Sequence, residues 1–183
     1  MKMKRCSWAK TDLMKEYHDK EWGKPLHDDA KLFELLILET MQAGLSWETI
    51  LKKRENYRLA LDGFNPETIQ HYTMDKQAQL LENPGIIRNR LKVKSIVTNA
   101  KVFIEVQKEW GSFDRYLWSF VDEVPIIHHI TDESEVPAQN ELSQKLSKAL
   151  KKKGFSFVGP TVCYAYLQAA GLINDHHMDC VFK

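Results

Sequence analysis

Glu39 follows Leu35-Leu36-Ile37-Leu38 on an otherwise apolar stretch and precedes a small-residue break, Gln42-Ala-Gly-Leu-Ser-Trp47. A carboxylate among apolar neighbours needs a partner or a ligand, because burying an unpaired charge is costly. Trp8, Tyr17, Trp22 and Trp47 crowd the same end of the chain. Stacked aromatics beside one carboxylate suit a flat, electron-poor, cationic ring. The bland alternative is core packing for the tryptophans and a structural hydrogen bond for Glu39.

A second set of residues could hold a metal. His176 and Cys180 are four apart, which on a helix or compact turn puts both within reach of one ion. Cys6 and His18, from the other end of the chain, are the obvious second pair, and a Cys2His2 set would suit a closed structural zinc with no open position for chemistry. His27, His128, His129 and His177 compete as ligands, so the residues alone leave the choice open. Such a clip would tie down two termini that otherwise fray. Cys163 sits in an apolar helical stretch and reads as core.

A third set could grip an anion. Residues 142–154 form an amphipathic basic helix, Phe155-Ser-Phe-Val-Gly-Pro-Thr161 a tight turn, and Val162 to Gly171 a second helix. Phe157 and Val158 are expected to anchor the turn in the core. Gly159 is expected to let the backbone bend sharply, and Pro160 to start a helix whose free N–H groups face a phosphate. Such a grip carries no base readout, so it implies sequence-independent DNA binding. An ordinary helical hairpin is the alternative. Residues 87–101 add a second zone of Arg88, Arg90, Lys92, Lys94 and Lys101 without an acid, so the net charge of +1 hides two basic patches.

The elements that must position these groups are helical. Asp28 or Asp29 caps a helix carrying Leu32, Phe33, Leu35, Leu36 and Leu38, and Ser46 caps the next, with Ile50, Leu51 and Tyr57 inward. Asn65-Pro66 opens another, Asp75 a short one, and residues 86–107 a long one. Phe113, Tyr116, Leu117 and Phe120 keep helical spacing. Residues 122–138 read as an irregular loop with no functional account for His128-His129. Helices resume at 139–153 and 160–171, strand signals are almost absent, and the glycines fall near helix ends. With 183 residues and 43% hydrophobic content the chain can bury one core. No apolar run would cross a bilayer. The basic start, Met1-Lys2-Met3-Lys4-Arg5, has no apolar stretch behind it and reads as no secretory signal. Three cysteines suit a reducing compartment, and the protein is expected in the cytoplasm.

The segments Tyr17-His-Asp-Lys-Glu-Trp-Gly23, Leu38-Glu-Thr-Met-Gln-Ala-Gly-Leu-Ser-Trp47, Ile50 to Tyr57, Gly85-Ile-Ile-Arg-Asn-Arg90, Leu117-Trp-Ser-Phe120, Lys153 to Thr161 and Gln168 to His176 resemble, in order, the 3-methyladenine DNA glycosylase I family. The resemblance implies an all-α fold of the helix-hairpin-helix DNA glycosylase type. The chain would be one domain over residues 1–183, with its hairpin at 142–171 and a zinc joining the N- and C-terminal segments. It places the zinc ligands on Cys6, His18, His176 and Cys180, and the base-recognising acid on Glu39. Tyr17, Trp22 and Trp47 become pocket aromatics with Trp8 nearby, Gly44-Leu45 the element that enters the gap left by an extruded base, and Lys153, Gly159 and Thr161 the hairpin's DNA contacts. It implies a monomer that acts on double-stranded DNA with alkylated bases and needs no membrane. Thr161 stands where strand-cleaving relatives carry a lysine, so no lyase activity is expected. Asp179, near the spacing of a catalytic aspartate in other hairpin glycosylases, is expected to be a solvated bystander of the zinc clip. Three rivals remain: a non-catalytic DNA-binding module, a zinc hydrolase, and a glycosylase of the same fold with a wider alkylpurine range.

Overall fold

Side chains that accept from their own helix's first amides set most of the helix starts. Thr11 caps α1 (Asp12–Lys20), Asp28 caps α2 (Asp29–Gln42) and Ser46 caps α3 (Trp47–Ala60). Asn65, followed by proline, caps α4 (Pro66–Ile69), and Thr73 caps α5 (Met74–Glu82). Asn89 opens α6 (Arg90–Trp110), Ser112 opens α7 (Phe113–Trp118) and Asn140 opens α8 (Glu141–Lys153). The last helix, α9 (Pro160–Ala169), starts at Gly159 without a side-chain cap. These elements come from a computed structural model that describes residues 4–183. Met1-Lys2-Met3, the start of the stretch read as no secretory signal, lies outside the described residues.

At the centre lies α2, buried from Leu32 to Met41 on every side, as a helix apolar all round must be. Against it pack α3, α6, α7 and α9. Asp28 rather than Asp29 is the cap. The Asp29 carboxylate instead accepts from the amides of Phe113 (2.9 Å) and Asp114 (2.8 Å), and so holds α7 to the start of α2.

Several boundaries differ from expectation. Three residues after its true cap, Asn89, lies Lys92, so the long helix starts at Arg90 and residues 86–89 lead into it. Thr73, not Asp75, opens α5. The helix α1 carries a polar run with few apolar residues and gave no apolar period to read. The stretch 122–138 is irregular, as expected, but holds a two-residue strand. β1 (Ile126–Ile127) pairs in parallel with β2 (Ile173–Asn174), in register Ile126 to Ile173 and Ile127 to Asn174. Two residues cannot show an alternating pattern, and the partner lies far along the chain. The pairing continues as a bridge from Ile130 to His177, so this stretch is laced to the C-terminal segment.

Candidate active site and metal centre

Trp8, Met14, Tyr17, Trp22, Glu39 and Trp47 line one pocket of about 440 Å³, a size that holds a purine. α1 brings Tyr17, the C-terminal half of α2 brings Glu39, and the first residue of α3 is Trp47. The rings of Tyr17 and Trp47 are 5.2 Å apart and tilted by 55°, and those of Trp8 and Trp22 are 5.0 Å apart, edge to face. A base sandwiched in parallel between Tyr17 and Trp47 would need about 7 Å between their planes, twice a stacking distance. The pocket therefore offers one ring face for stacking and other rings edge-on.

Glu39 is 3% exposed, and its Oε2 and the Trp47 Nε1 are both buried without a hydrogen-bond partner among the described residues. Burial pushes the Glu39 carboxyl up to about 8. An acid without a partner inside an aromatic pocket is a group prepared for a ligand.

The metal set assembles beside this pocket. The donor atoms of Cys6, His18, His176 and Cys180 lie within 4.8 Å of one another, and all four residues are buried. The competing histidines His27, His128, His129 and His177 stay outside the set. The sulfur of Cys180 is 3.6 Å from His18 Nε2 and 3.5 Å from His176 Nδ1, and Cys6 Sγ is 3.7 Å from His176 Nδ1. The remaining ring nitrogens are anchored: His18 Nδ1 donates to Asp19 (2.8 Å) and His176 Nε2 to the Trp22 carbonyl (3.0 Å). This fixes both tautomers with a lone pair turned toward the sulfurs, the pattern that surrounds metal-binding histidines. Burial lowers His176 to about 4, so its ring is neutral, and raises the Cys6 thiol to about 12, a cost that a bound cation would offset. The donor set fits one tetrahedral metal ion.

A glycine lets His176 approach: a Cβ on Gly23 would meet His176 Nε2 at 2.9 Å. Nearby, a Cβ on Gly171 would meet the Lys24 backbone at 2.1 Å, so the two chain segments pass there only over a glycine. The centre also forms part of the pocket wall. Cys6 lines the pocket, and Trp22 packs edge-on against His176 at 4.7 Å and stacks with His18 at 6.0 Å.

Exposed residues Ala43 to Ser46 form the turn between α2 and α3, with Gly44 at φ +78 and Leu45 solvent-facing. One basic residue behaves unlike its neighbours. Lys92, read as part of an exposed patch, is 6% exposed and donates to the carbonyls of Met41 (2.8 Å) and Ala43 (2.7 Å). Desolvation lowers its pKa. Arg88, Arg90, Lys94 and Lys101 are exposed as expected.

The hairpin of α8 and α9 forms, with two corrections. Val158 is buried in the core as expected, but Phe157 does not anchor the turn: at 36% exposed and φ 59 it points outward, and Phe155 is buried in its place. Gly159 has ordinary backbone angles (φ −64, ψ 164), and a Cβ there would meet nothing. The sharp bend belongs to Gly154 and Phe157, and what Gly159 provides is an unobstructed approach to the start of α9. Thr161 is exposed at that start. Lys153 is not free: its ammonium pairs with Glu109 and lies 5.6 Å from the Tyr116 ring.

Asp179 is exposed, is paired with Lys4 and is absent from the pocket lining. The acid that the sequence reading passed over is Asp175. It is buried and lines the pocket, and its carboxylate accepts from Tyr164 (2.6 Å), Gln168 (2.8 Å) and His128 (2.6 Å). That gives His128 a task, tying β1 to β2. Gln42, Met14 and Glu133 also line the pocket unforeseen. Gln42 sits one turn beyond Glu39, a spacing that could have flagged it.

A family model described as methyladenine glycosylase matches residues 8–183. The DNA-3-methyladenine glycosylase of Haemophilus influenzae is 47% identical over 180 residues, 98% of this chain and 97% of the relative. DNA-3-methyladenine glycosylase 1 of Escherichia coli is 45% identical over 179 residues, 97% of this chain and 96% of the relative. A solved structure of a 3-methyladenine DNA glycosylase I variant in complex with 3-methyladenine superposes with a TM-score of 0.96 at 38% identity, covering 99% of this chain and 98% of the other. On kinship that spans both chains almost end to end, and on a mostly helical fold shared with these structures, the chain belongs to the methyladenine glycosylase family, enzymes that hydrolyse an N-glycosidic bond.

Proposed function

We propose that this protein excises 3-methyladenine from alkylated double-stranded DNA, as a single-domain monomer spanning residues 1–183, with Glu39 recognising the extruded base. The observation that carries the reading is the buried Glu39 carboxyl with an unpartnered oxygen inside an aromatic pocket. The relatives named for this activity, one of them solved with 3-methyladenine, support it.

The target base must leave the stack before any side chain can touch it, at a cost of a few kcal/mol. The α8–α9 unit, as a helix-hairpin-helix, grips phosphates through the open amides at Gly159 and Thr161, while Gly44-Leu45 enters the gap left behind. Lys153 adds positive potential there rather than a direct contact. The extruded base stacks on Trp47 and meets Tyr17, Trp8 and Trp22 with their edges. Methylation at N3 makes the base cationic, so it departs neutral and needs little acid catalysis. Glu39, when ionised, complements the cation and accepts from its exocyclic amine. A neutral adenine gains less from Glu39 and keeps a stronger glycosidic bond. With Thr161 in place of an amine nucleophile, the reaction is hydrolysis without strand cleavage.

The metal we assign to Cys6, His18, His176 and Cys180 is one structural zinc. Ordinary Zn–S and Zn–N lengths at tetrahedral angles put sulfur and nitrogen about 3.6 Å apart, close to the separations across this set. Zinc would supply folding energy here and no chemistry, since all four positions are taken. Free thiols in that set suit the reducing cytoplasm.

Methylated DNA incubated with wild type and with Glu39→Gln, with the released bases separated by chromatography, tests the reading. Wild type should release 3-methyladenine, and the variant should release it about 10- to 100-fold more slowly, the cost of one charge-assisted hydrogen bond. If wild type releases no 3-methyladenine, the proposal is wrong.

A further inference from the structure

The helix α6 reaches both elements assigned above to the duplex, through two buried polar side chains on one face. Near its start, Lys92 donates to the last carbonyls of α2 and its turn, Met41 and Ala43. Seven residues later the fully buried Asn99 grips the hairpin turn with both ends of its amide. It donates to the Ser156 carbonyl (3.1 Å) and accepts from the Ser156 N–H (2.8 Å). Seven residues are two helical turns, so the two grips share a side of α6 and stand about 10 Å apart along its axis.

Hydrogen-bond satisfaction alone does not call for these residues. The 43–46 turn is exposed, and water could serve its carbonyls as it does at most surface helix ends. Burying a lysine ammonium there carries a desolvation cost that solvent would have spared. Other restraint on the turn is slight. A Cβ on Gly44 would meet nothing within 4 Å, and the bonds there are local, Leu45 N–H to the Gln42 carbonyl (2.6 Å) and the Ser46 cap to Thr49. The hairpin turn is held from α8 by Ser147, which donates to the Val158 carbonyl (2.6 Å), but among the described residues only Asn99 ties it to the body of the protein through a side chain with both a donor and an acceptor in use.

We infer that α6 is a bracket that fixes the spacing between the Gly44-Leu45 wedge and the phosphate-gripping turn, with Lys92 and Asn99 as its positioning residues. The inference rests on the proposed assignment of those two elements to the duplex. A protein that must push a base out at one point while holding the backbone at another needs the two points at a fixed separation. Freedom at the wedge spoils extrusion, and freedom at the grip spoils backbone binding.

The two arms predict different kinetic signatures. Steady-state excision from a methylated duplex is measured across DNA and salt concentrations for Lys92→Met and Asn99→Leu, and the affinity of each for free 3-methyladenine is read from quenching of tryptophan fluorescence. Lys92→Met should lower kcat about tenfold with KM and salt slope unchanged. Asn99→Leu should raise KM about tenfold with kcat kept, and flatten the plot of log affinity against log salt by about one phosphate contact. Free-base affinity should be unchanged in both. Equal loss in both kinetic parameters, or weakened free-base binding, would mean general loosening and would overturn the inference. Leu45→Ala and Thr161→Glu separate it from the reading beneath it. If these respond and the bracket variants do not split, the bracket alone fails. If neither Leu45→Ala nor Thr161→Glu alters duplex excision, the assignment of the duplex face fails and the bracket falls with it.

Discussion

Replacing Glu39 by glutamine should make the protein more stable and less active at once. Burial lifts the Glu39 carboxyl from 4.5 to about 8 in the folded state. Between those two values the folded protein holds a proton that the unfolded chain gives up, so stability falls as pH rises through that window. At pH 7 the penalty spans the 2.5 pH units above 4.5, or about 3 kcal/mol at 1.36 kcal/mol each. Above about 8 both states are ionised and the penalty is constant, and below 4.5 both are protonated and it vanishes. Glutamine has the same shape and no titration. The variant should therefore melt roughly 6–12 °C above wild type at pH 7, with the gap closing as pH approaches 4.5. Excision should move the other way. Wild-type kcat/KM should climb with pH toward a plateau above about 8, where free Glu39 is ionised, while the variant stays low and flat. Differential scanning calorimetry from pH 4.5 to 8.5, paired with base release, measures both. Equal melting temperatures at pH 7, or a gap that ignores pH, would refute the view of Glu39 as a destabilising acid kept for its ligand.

Three further perturbations test the surroundings. Dialysis against a chelator should release one zinc per chain and lower the melting temperature by about 10 °C or more; it should also shift tryptophan emission, because Trp22 packs on His18 and His176. An unchanged midpoint and spectrum would sink the metal assignment. Arg54 bridges Glu21 (2.8 Å) and the nearly buried Glu34 (2.6 Å), so Arg54→Met should cost about 3 kcal/mol, with part recovered in the double variant with Glu34→Gln; no loss in a urea titration would show that Arg58 suffices. Asp179→Asn should keep base release and metal content, since this acid is exposed beside Lys4; lost release with the metal retained would move a catalytic role to it.

The pocket and the metal set were legible because their residue types are out of place in their surroundings. An acid after four apolar residues, tryptophans crowded into one stretch and a His-x3-Cys ending each stand out against helical periodicity. Which histidines join the cysteines in one donor set was not legible. His27, His128, His129 and His177 are of the same type, and only the folded positions of Trp22 and Asp19 show whose ring is oriented toward the sulfurs. The β1–β2 pairing was unreadable for the opposite reason, since two residues carry no period and the partner is distant.

Lys92 and Phe157 mark a deeper limit. Charge and apolarity are averages over contexts, and each residue sits where the average fails. Lys92 lies inside a run of basic residues, yet its position on the inner face of α6 meets the end of another helix, where a cation is favoured by the dipole and by two free carbonyls. Phe157 is apolar yet outward because the turn spends its inward positions on Phe155 and Val158, which leaves φ 59 and the solvent for the residue between them.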